Sequence, residues 1–277
     1  SFGIVEQVGE GVSDWQVGDY VVATVRRPDG CPNCLLAESD MCLWGTYTER
    51  GIKGRHGYLT EYYVDKPDFL IHVPKEMADL AVLLEPTSVA EKGITQAFKI
   101  QERLYWQPQN AIVTGAGTLG LLATFLLRAR GLNVYTMART AMPYLNGELA
   151  EVSGARYVNS KEKSLTQLAA EIGNVDFIFE ATGASSLIFE AMAIIGNDGV
   201  LCLAGLSSSS NTLQVPADAI NMELVLGNKL IFGTVNANRR YFEAGLKDLA
   251  TIEQQWPGLL ARLFTNRIQR LDNFAAA

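Results

Sequence analysis

The stretch Ala111-Ile112-Val113-Thr114-Gly115-Ala116-Gly117-Thr118-Leu119-Gly120 decides how the chain folds. A short run of buried-strand character leads into G-x-G-x-x-G and then into an apolar helical pattern over residues 119–130. In such a turn Gly115 allows the tight bend, Gly117 lets the backbone approach a pyrophosphate, and Gly120 permits close packing of helix on strand. The phosphates would sit at the helix N-terminus, where free N–H groups and the helix dipole favour negative charge. Glycine-rich turns are common, and an ordinary strand-to-helix turn is the alternative. The strand and helix on either side are the context that a cofactor site requires. Gly115, Ala116, Gly117, Thr118, Leu119 and Gly120 are therefore candidate cofactor-binding residues.

Outward from this motif, strand-like runs alternate with helical ones. After the helix come strands over 133–137, 175–180, 200–204 and 229–234, the pattern of a doubly wound parallel sheet. Residues 239–249 and 256–264 read as helices, and Ser207 to Ser210 as a loop. On the N-terminal side, residues 1–71 show short alternating apolar runs broken by glycine and aspartate, as at Val17-Gly18-Asp19 before Tyr20-Val21-Val22-Ala23. Residues 78–98 carry helical spacing, with Pro86 placed to kink or start a helix.

The second strand of the α/β region bears on which nucleotide is preferred. An acidic residue at its end would hydrogen-bond the adenosine ribose and select NAD. The chain has Ala138-Arg139-Thr140 there instead, and a guanidinium can grip a ribose 2′-phosphate that a carboxylate would repel. NADP is the expected cofactor, with NAD possible; a solvated surface arginine is the alternative reading.

Bulk composition narrows the class. The chain has 277 residues, 48% hydrophobic and 19% charged, enough for two domains. Its 23 basic against 30 acidic residues give a net charge of −7, which argues against nucleic acid or an anionic membrane as partner. The apolar runs 119–127 and 220–226 are too short to span a bilayer, and no basic-then-apolar leader opens the chain, so a cytoplasmic setting is expected. The chain lacks an initiator Met, opens inside a strand-like pattern and ends at 273–277 in an unfinished helical one, so it reads as cut at both ends.

Three of the four cysteines crowd into one loop: Cys31-Pro32-Asn33-Cys34 and then Cys42. Thiolates at this spacing can hold most of a tetrahedral zinc site in a reducing compartment. Three ligands leave it open; Asp29 could be the fourth, and a loop of unliganded thiols is the alternative. Glu85, in Leu83-Leu84-Glu85-Pro86, is a carboxylate in an apolar run and needs a cation, a metal or a proton. A catalytic zinc, a buried ion pair and a helix N-terminal charge all remain open for it. His56 in a glycine-flanked loop and His72 beside a strand read as structural.

Gly9-Glu10-Gly11-Val12, Val17-Gly18-Asp19-Tyr20-Val21, the cysteine loop, 54–62 (GRHGYLTEY), Glu85-Pro86 and the glycine fingerprint together resemble the medium-chain, zinc-type alcohol dehydrogenases over essentially the whole chain. Within them, Val25-Arg26-Arg27-Pro28, Glu49-Arg50-Gly51-Ile52, 85–92 (EPTSVAEK) and Val235-Asn236-Ala237-Asn238 are similar to the archaeal-type glucose (aldose) 1-dehydrogenases. The resemblance implies a Rossmann sheet plus a partial GroES-like β-rich catalytic domain. Its expected extents are residues 1–100 for the catalytic part, 101–237 for the NADP-binding domain and 238–277 for a segment returning to the catalytic part.

It also implies a chemistry: zinc polarises the anomeric hydroxyl of an aldose, and hydride passes from C1 to the nicotinamide, giving an aldonolactone. By the same resemblance Glu85 is a catalytic-zinc ligand, and Glu49 and Asn236 hydrogen-bond the sugar. Thr182, Ala204, Gly205, Leu206, Thr234, Val235 and Asn236 line the nicotinamide half of the site, and the protein is a homo-oligomer, dimer or tetramer. There are two departures: the family's catalytic cysteine and histidine-glutamate pair would fall upstream of Ser1, and the first cysteine of its four-cysteine loop is missing. The chain as it stands is expected to turn over nothing. A polyol or secondary-alcohol dehydrogenase and a non-catalytic dinucleotide-binding remnant are the rival readings.

Overall fold

The computed structural model describes residues 1–207 and 210–266; the helical pattern expected at 273–277 and part of the serine run lie outside them. The chain divides into two compact units, Ser1–Val89 with Val235–Ala277, and Ala90–Thr234.

The first unit is built from short strands: β1 (Phe2–Ile4), β2 (Tyr20–Ala23), β3 (Arg26–Arg27), β4 (Thr48–Arg50), β5 (Gly54–Arg55) and β6 (Leu70–His72), with a one-turn helix α1 (Pro32–Leu35) after β3. β1, β2 and β6 form an antiparallel sheet in that order, and β3, β4 and β5 form a mixed one, in which β3 and β4 are antiparallel and β4 and β5 parallel. The turn into β2 works as its residues dictate. Gly18 takes φ +97°, which disfavours any residue with a Cβ, and the Asp19 carboxylate accepts from the Gln16 N–H at 2.8 Å. His72 stacks on buried Trp15 with ring centroids 3.6 Å apart and planes 8° from parallel, a packing role. Near β3 and β4, buried Asp65 accepts from Arg27 and, at 3.0 Å, from Arg50, so its charge is compensated inside the fold.

A 3-10 segment, Lys75–Leu83, leads into helix α2 (Leu84–Gln101). Pro86 falls in the first turn of α2, where its missing N–H costs no helical hydrogen bond.

The second unit carries a six-stranded, all-parallel sheet of β7 (Asn110–Thr114), β8 (Asn133–Ala138), β9 (Arg156–Asn159), β10 (Phe177–Glu180), β11 (Val200–Leu203) and β12 (Leu230–Gly233), in the order β12-β11-β10-β7-β8-β9. The helices α3 (Thr118–Ala129), α4 (Leu145–Val152), α5 (Leu165–Ile172), α6 (Ser185–Ile194) and α7 (Ala217–Leu226) supply the crossovers. Helices on both faces explain why the central strands are apolar at nearly every position rather than alternately. Ile112, Met137, Ile178 and Leu201 pack into one core with Leu165, Leu168, Ala191 and Ile195. Phe177 and Phe179 are also fully buried, and a Cβ on Gly93 of α2 would lie 2.8 Å from Phe179 and 2.9 Å from Cys202, so Gly93 lets that helix lie close on β10 and β11.

Helix α8 (Arg239–Gln255) runs longer than the expected 239–249, whereas the helix expected over 256–264 shrinks to a 3-10 turn, Leu260–Leu263. The cause lies in Trp256-Pro257-Gly258. Pro257 drives the residue before it out of the helical region, and Trp256 sits at φ −134°, ψ 77°, while Gly258 takes φ +79°. Among the described residues, no helix is long and apolar enough to cross a membrane.

Candidate functional site

Sheet order reverses at β7, whose neighbours β8 and β10 lead away in opposite directions; in open parallel sheets the crevice at the carboxyl end of this switch point is where ligands bind. The glycine turn lies there. Gly115 leaves β7 at φ +102°, its N–H bonded to the Met137 carbonyl at 2.8 Å. A Cβ on Gly120 would stand 1.9 Å from the Gly115 carbonyl oxygen, so only glycine lets α3 approach β7 this closely. Gly117 differs, since a Cβ there would meet nothing within 4 Å. Its φ of −74° strains no residue, so the protein itself has no use for the missing side chain. Gly117 caps α3 without any side-chain acceptor, and the N–H groups that follow, at Thr118, Leu119 and Gly120, open the helix. Ala116 is buried and its carbonyl accepts from Asn146 at 2.7 Å, which fixes the turn from behind.

At the end of β8, Ala138 still pairs with Asn159 of β9, and Arg139 and Thr140 follow it into solvent. Arg139 is exposed and makes no hydrogen bond or ion pair with a described residue; the Thr140 carbonyl accepts from Tyr157 at 2.6 Å.

The ends of β10 and β11 are organised by a residue to which sequence reasoning gave no role. Glu180, fully buried at the last position of β10, accepts the N–H of Thr182 at 2.7 Å and of Gly183 at 3.1 Å, and the Thr182 hydroxyl as well. Its main-chain carbonyl takes the N–H groups of Ala204 and Gly205 at 2.8 and 2.9 Å. One buried residue thus sets the backbone of all four, its carboxylate that of Thr182 and Gly183 and its main-chain carbonyl that of Ala204 and Gly205. Its signal is the acid that closes the otherwise apolar Phe177-Ile178-Phe179-Glu180. Leu206 is exposed, and Thr234 beyond β12 holds a buried hydroxyl with no hydrogen-bond partner among the described residues, a polar atom at the ligand-binding edge of the sheet. Cys202 lies inside β11, where burial pushes its thiol well above the ordinary range, so it is no nucleophile.

In the first unit, Asp29, Cys31, Cys34 and Cys42 converge until their ligand atoms lie within 4.8 Å of one another, which no other group of three or more such residues does among those described. Cys31 and Cys42 sulfurs are 3.8 Å apart, and the Asp29 carboxylate lies 3.4 Å from the Cys34 sulfur and 2.9 Å from that of Cys42. Hydrogen bonding from the Cys42 thiol is the largest of several causes that hold the Asp29 carboxyl below the ordinary carboxylate range. Burial drives Cys34 up, whereas at Cys31 the backbone N–H groups of Cys34 and Leu43 outweigh burial and bring the thiol down to about 7.

Glu49 on β4 is buried and accepts from the Asn236 side-chain amide at 2.7 Å and from Arg26 at 2.9 Å. Asn236, at φ +57°, is locked by its own side-chain oxygen, which accepts from the Ala237 N–H at 2.7 Å; Val235 before it is exposed. Glu85 lies in the first turn of α2, and burial raises its carboxyl above the ordinary range. Glu85 has no ion-pair partner within 4 Å among the described residues and belongs to no cluster of three or more metal-ligating side chains there. His56 is exposed and lies outside every such cluster.

Comparisons with known proteins agree on both units. Residues 78–277 match the family described as glucose dehydrogenase C-terminus, and residues 1–75 match the alcohol dehydrogenase GroES-like domain. A glucose 1-dehydrogenase of Methanocella arvoryzae is 48% identical over 275 residues, covering 99% of this chain and 76% of that protein. Among solved structures, Haloferax mediterranei glucose dehydrogenase in complex with NADP, Zn and gluconolactone is similar at TM-score 0.87 and 31% identity, over 95% of this chain and 73% of that one. Galactitol-1-phosphate dehydrogenase from Escherichia coli is similar at TM-score 0.75 and 26% identity, over 90% and 71%. With an open parallel sheet bearing the glycine turn, a GroES-like unit bearing the cysteine loop, and these matches along its length, the chain belongs to the glucose dehydrogenase family of zinc-type medium-chain alcohol dehydrogenases.

Proposed function

We propose that the protein oxidises an aldose, glucose or a close relative, at C1 to the aldonolactone, passing hydride to NADP. The observation that carries this reading is the turn at 115–120, where two glycines serve the fold and Gly117 leaves open space over an uncapped helix N-terminus. The glucose 1-dehydrogenase relatives, and the NADP, Zn and gluconolactone held by the Haloferax neighbour, support the substrate class and the cofactors. In this reading the amides of Thr118, Leu119 and Gly120 take the pyrophosphate. Thr182, Ala204, Gly205, Leu206, Thr234, Val235 and Asn236 line the nicotinamide half, and Glu49 and Asn236 hold sugar hydroxyls. Glu85 would offer one carboxylate to a catalytic zinc, whose divalent charge would compensate its desolvation, although no further ligands gather around it among the described residues. When bound, that metal supplies Lewis-acid catalysis at the anomeric hydroxyl. Cys31, Cys34 and Cys42, with Asp29 at the fourth corner, are assigned to a structural zinc; the 3.8 Å between the Cys31 and Cys42 sulfurs suits a tetrahedron with Zn–S bonds of about 2.3 Å. A cytoplasmic homo-oligomer, dimer or tetramer, belongs to the same reading, and the reduced thiols that the loop needs support that compartment.

The likeness to galactitol-1-phosphate dehydrogenase favours a second reading, a polyol dehydrogenase. A substrate panel on the full-length protein separates the two. Glucose-dependent formation of NADPH with no response to polyols is expected, and rapid polyol oxidation without aldose oxidation would replace the first reading by the second.

Cofactor choice is tested at Arg139. Its guanidinium, exposed and without a partner among the described residues, is open to a 2′-phosphate, and a charge-assisted contact of this kind is worth about 1.5–3 kcal/mol. Arg139→Ala is expected to weaken NADP binding by roughly 10- to 100-fold and to leave NAD binding within about twofold, as measured by titration of each nucleotide. An unchanged NADP-to-NAD ratio would remove Arg139 from the phosphate site.

A further inference from the structure

We infer that Arg26 is a positioning residue of the sugar site, holding the Glu49 carboxylate so that one oxygen stays available to a sugar hydroxyl and tying it to the cysteine loop. The inference rests on the proposed role of Glu49 and Asn236. Arg26 lies directly across from Glu49 in the β3–β4 pairing, and both are almost fully buried. Its Nε donates to Glu49 Oε1 at 2.9 Å, the same oxygen that receives the Asn236 amide at 2.7 Å. Two donors on Oε1 leave Oε2 without a protein donor among the described residues, and the Asn236 amide keeps a second N–H beyond the one given to Glu49. An acceptor and a donor held side by side match two neighbouring hydroxyls of a pyranose, each of which can give one hydrogen bond and take another.

The rest of the guanidinium is fixed from the other side. Its second nitrogen donates to the carbonyl of Asp40 at 3.0 Å and, at 3.4 Å, to that of Ser39, both in the segment between Cys34 and Cys42. The guanidinium carbon stacks 3.7 Å over the Tyr47 ring. Arg26 cannot pivot away from Glu49 without giving up these contacts, and a buried carboxylate without its cation takes up a proton or turns toward solvent. Lysine would not replace it, because one ammonium cannot reach the carboxylate and the two carbonyls in this planar geometry.

The test is a double-mutant cycle on the full-length protein, reading D-glucose affinity by calorimetry and by KM against kcat, with NADP affinity in parallel. Arg26→Gln is expected to weaken glucose binding about tenfold or more, the range of one charge-assisted hydrogen bond, while NADP affinity stays within about twofold. Because Arg26 acts through Glu49, Arg26→Gln combined with Glu49→Gln should bind glucose no more weakly than Glu49→Gln alone. Arg26→Lys, which keeps the charge and guards against misfolding of the glutamine variant, should fall between wild type and Arg26→Gln. Additive losses, or an Arg26→Gln protein with wild-type glucose affinity beside a weakened Glu49→Gln, would overturn the assignment of Arg26 alone. A wild type that binds no aldose would overturn the sugar-site reading and the inference with it.

Discussion

Gly120→Ala is expected to abolish NADP binding, raising the dissociation constant by more than about 100-fold, and to lower the thermal midpoint by several degrees. The added methyl would stand 1.9 Å from the Gly115 carbonyl oxygen and 2.8 Å from its carbon, and both are backbone atoms that no rotamer change can clear. Relief must come from moving α3 off β7 or from unwinding the Gly115 bend. The first route drags Leu121, Leu122, Phe125 and Leu126, all fully buried, out of their packing; overpacking of this kind costs about 1–3 kcal/mol or more. The second displaces the amides that would face the phosphates. Gly117→Ala gives the contrast. With nothing within 4 Å of its new methyl and an ordinary φ, it should leave stability within about 0.5 kcal/mol and still weaken NADP, because the methyl fills the space that the diphosphate needs. Nucleotide titration and thermal unfolding of both variants check this. A Gly120→Ala protein that binds NADP like wild type would show that the turn is no cofactor site.

How much of this could be read in advance follows from how local each cause is. The glycine turn is legible because every requirement falls within residues 111–120 and its strand and helix adjoin it. The parallel sheet is legible because burial on both faces leaves continuous apolar runs, such as Phe177-Ile178-Phe179. The helix expected at 256–264 failed because the apolar spacing of Leu259, Leu260 and Leu263 outweighed Pro257 and Gly258, which end it at once. Glu180 has no short motif: its partners at Thr182, Ala204 and Gly205 come from two strand ends, and only the fold joins them. Arg26 stands in a recognisable Val25-Arg26-Arg27-Pro28, yet its partner is 23 residues away and its meaning depends on β3–β4 register. The cysteine loop lies between these cases. Spacing points to a metal, while the approach of Asp29 to all three sulfurs depends on the turn through Gly30, at φ +86°.

That loop yields the second large effect: the protein is expected to carry one zinc at Asp29, Cys31, Cys34 and Cys42, and chelation or Cys34→Ser to disorder residues 29–46. Arg26, Lys53, Asn238 and Arg240 bond to the segment from outside, but its apolar packing is thin. Leu35, Leu36, Leu43 and Trp44 are 77%, 74%, 68% and 59% exposed, so its large apolar side chains contribute little burial to offset the backbone entropy of an ordered loop. α1 is one turn long and cannot persist alone. Structural zinc in small domains binds with apparent free energies of about 10–16 kcal/mol, far more than a loop of this size needs to stay folded. Removing the metal should therefore raise hydrogen exchange across 29–46 by about 100-fold or more and open the loop to proteolysis, with β7 to β12 unchanged. Through the bonds from Arg26 to the carbonyls of Ser39 and Asp40, the same treatment should weaken glucose binding more than NADP binding. Asp29→Asn examines the fourth corner. The amide keeps one oxygen, for the N–H of Cys31 or for Thr46 but not for both, and loses the charge, so zinc affinity should fall by about 10- to 100-fold with the loop still folded at saturating metal. Metal analysis showing no zinc in freshly purified protein, or exchange in the loop indifferent to chelation, would leave the three thiols as unliganded side chains and Asp29 as their hydrogen-bond acceptor.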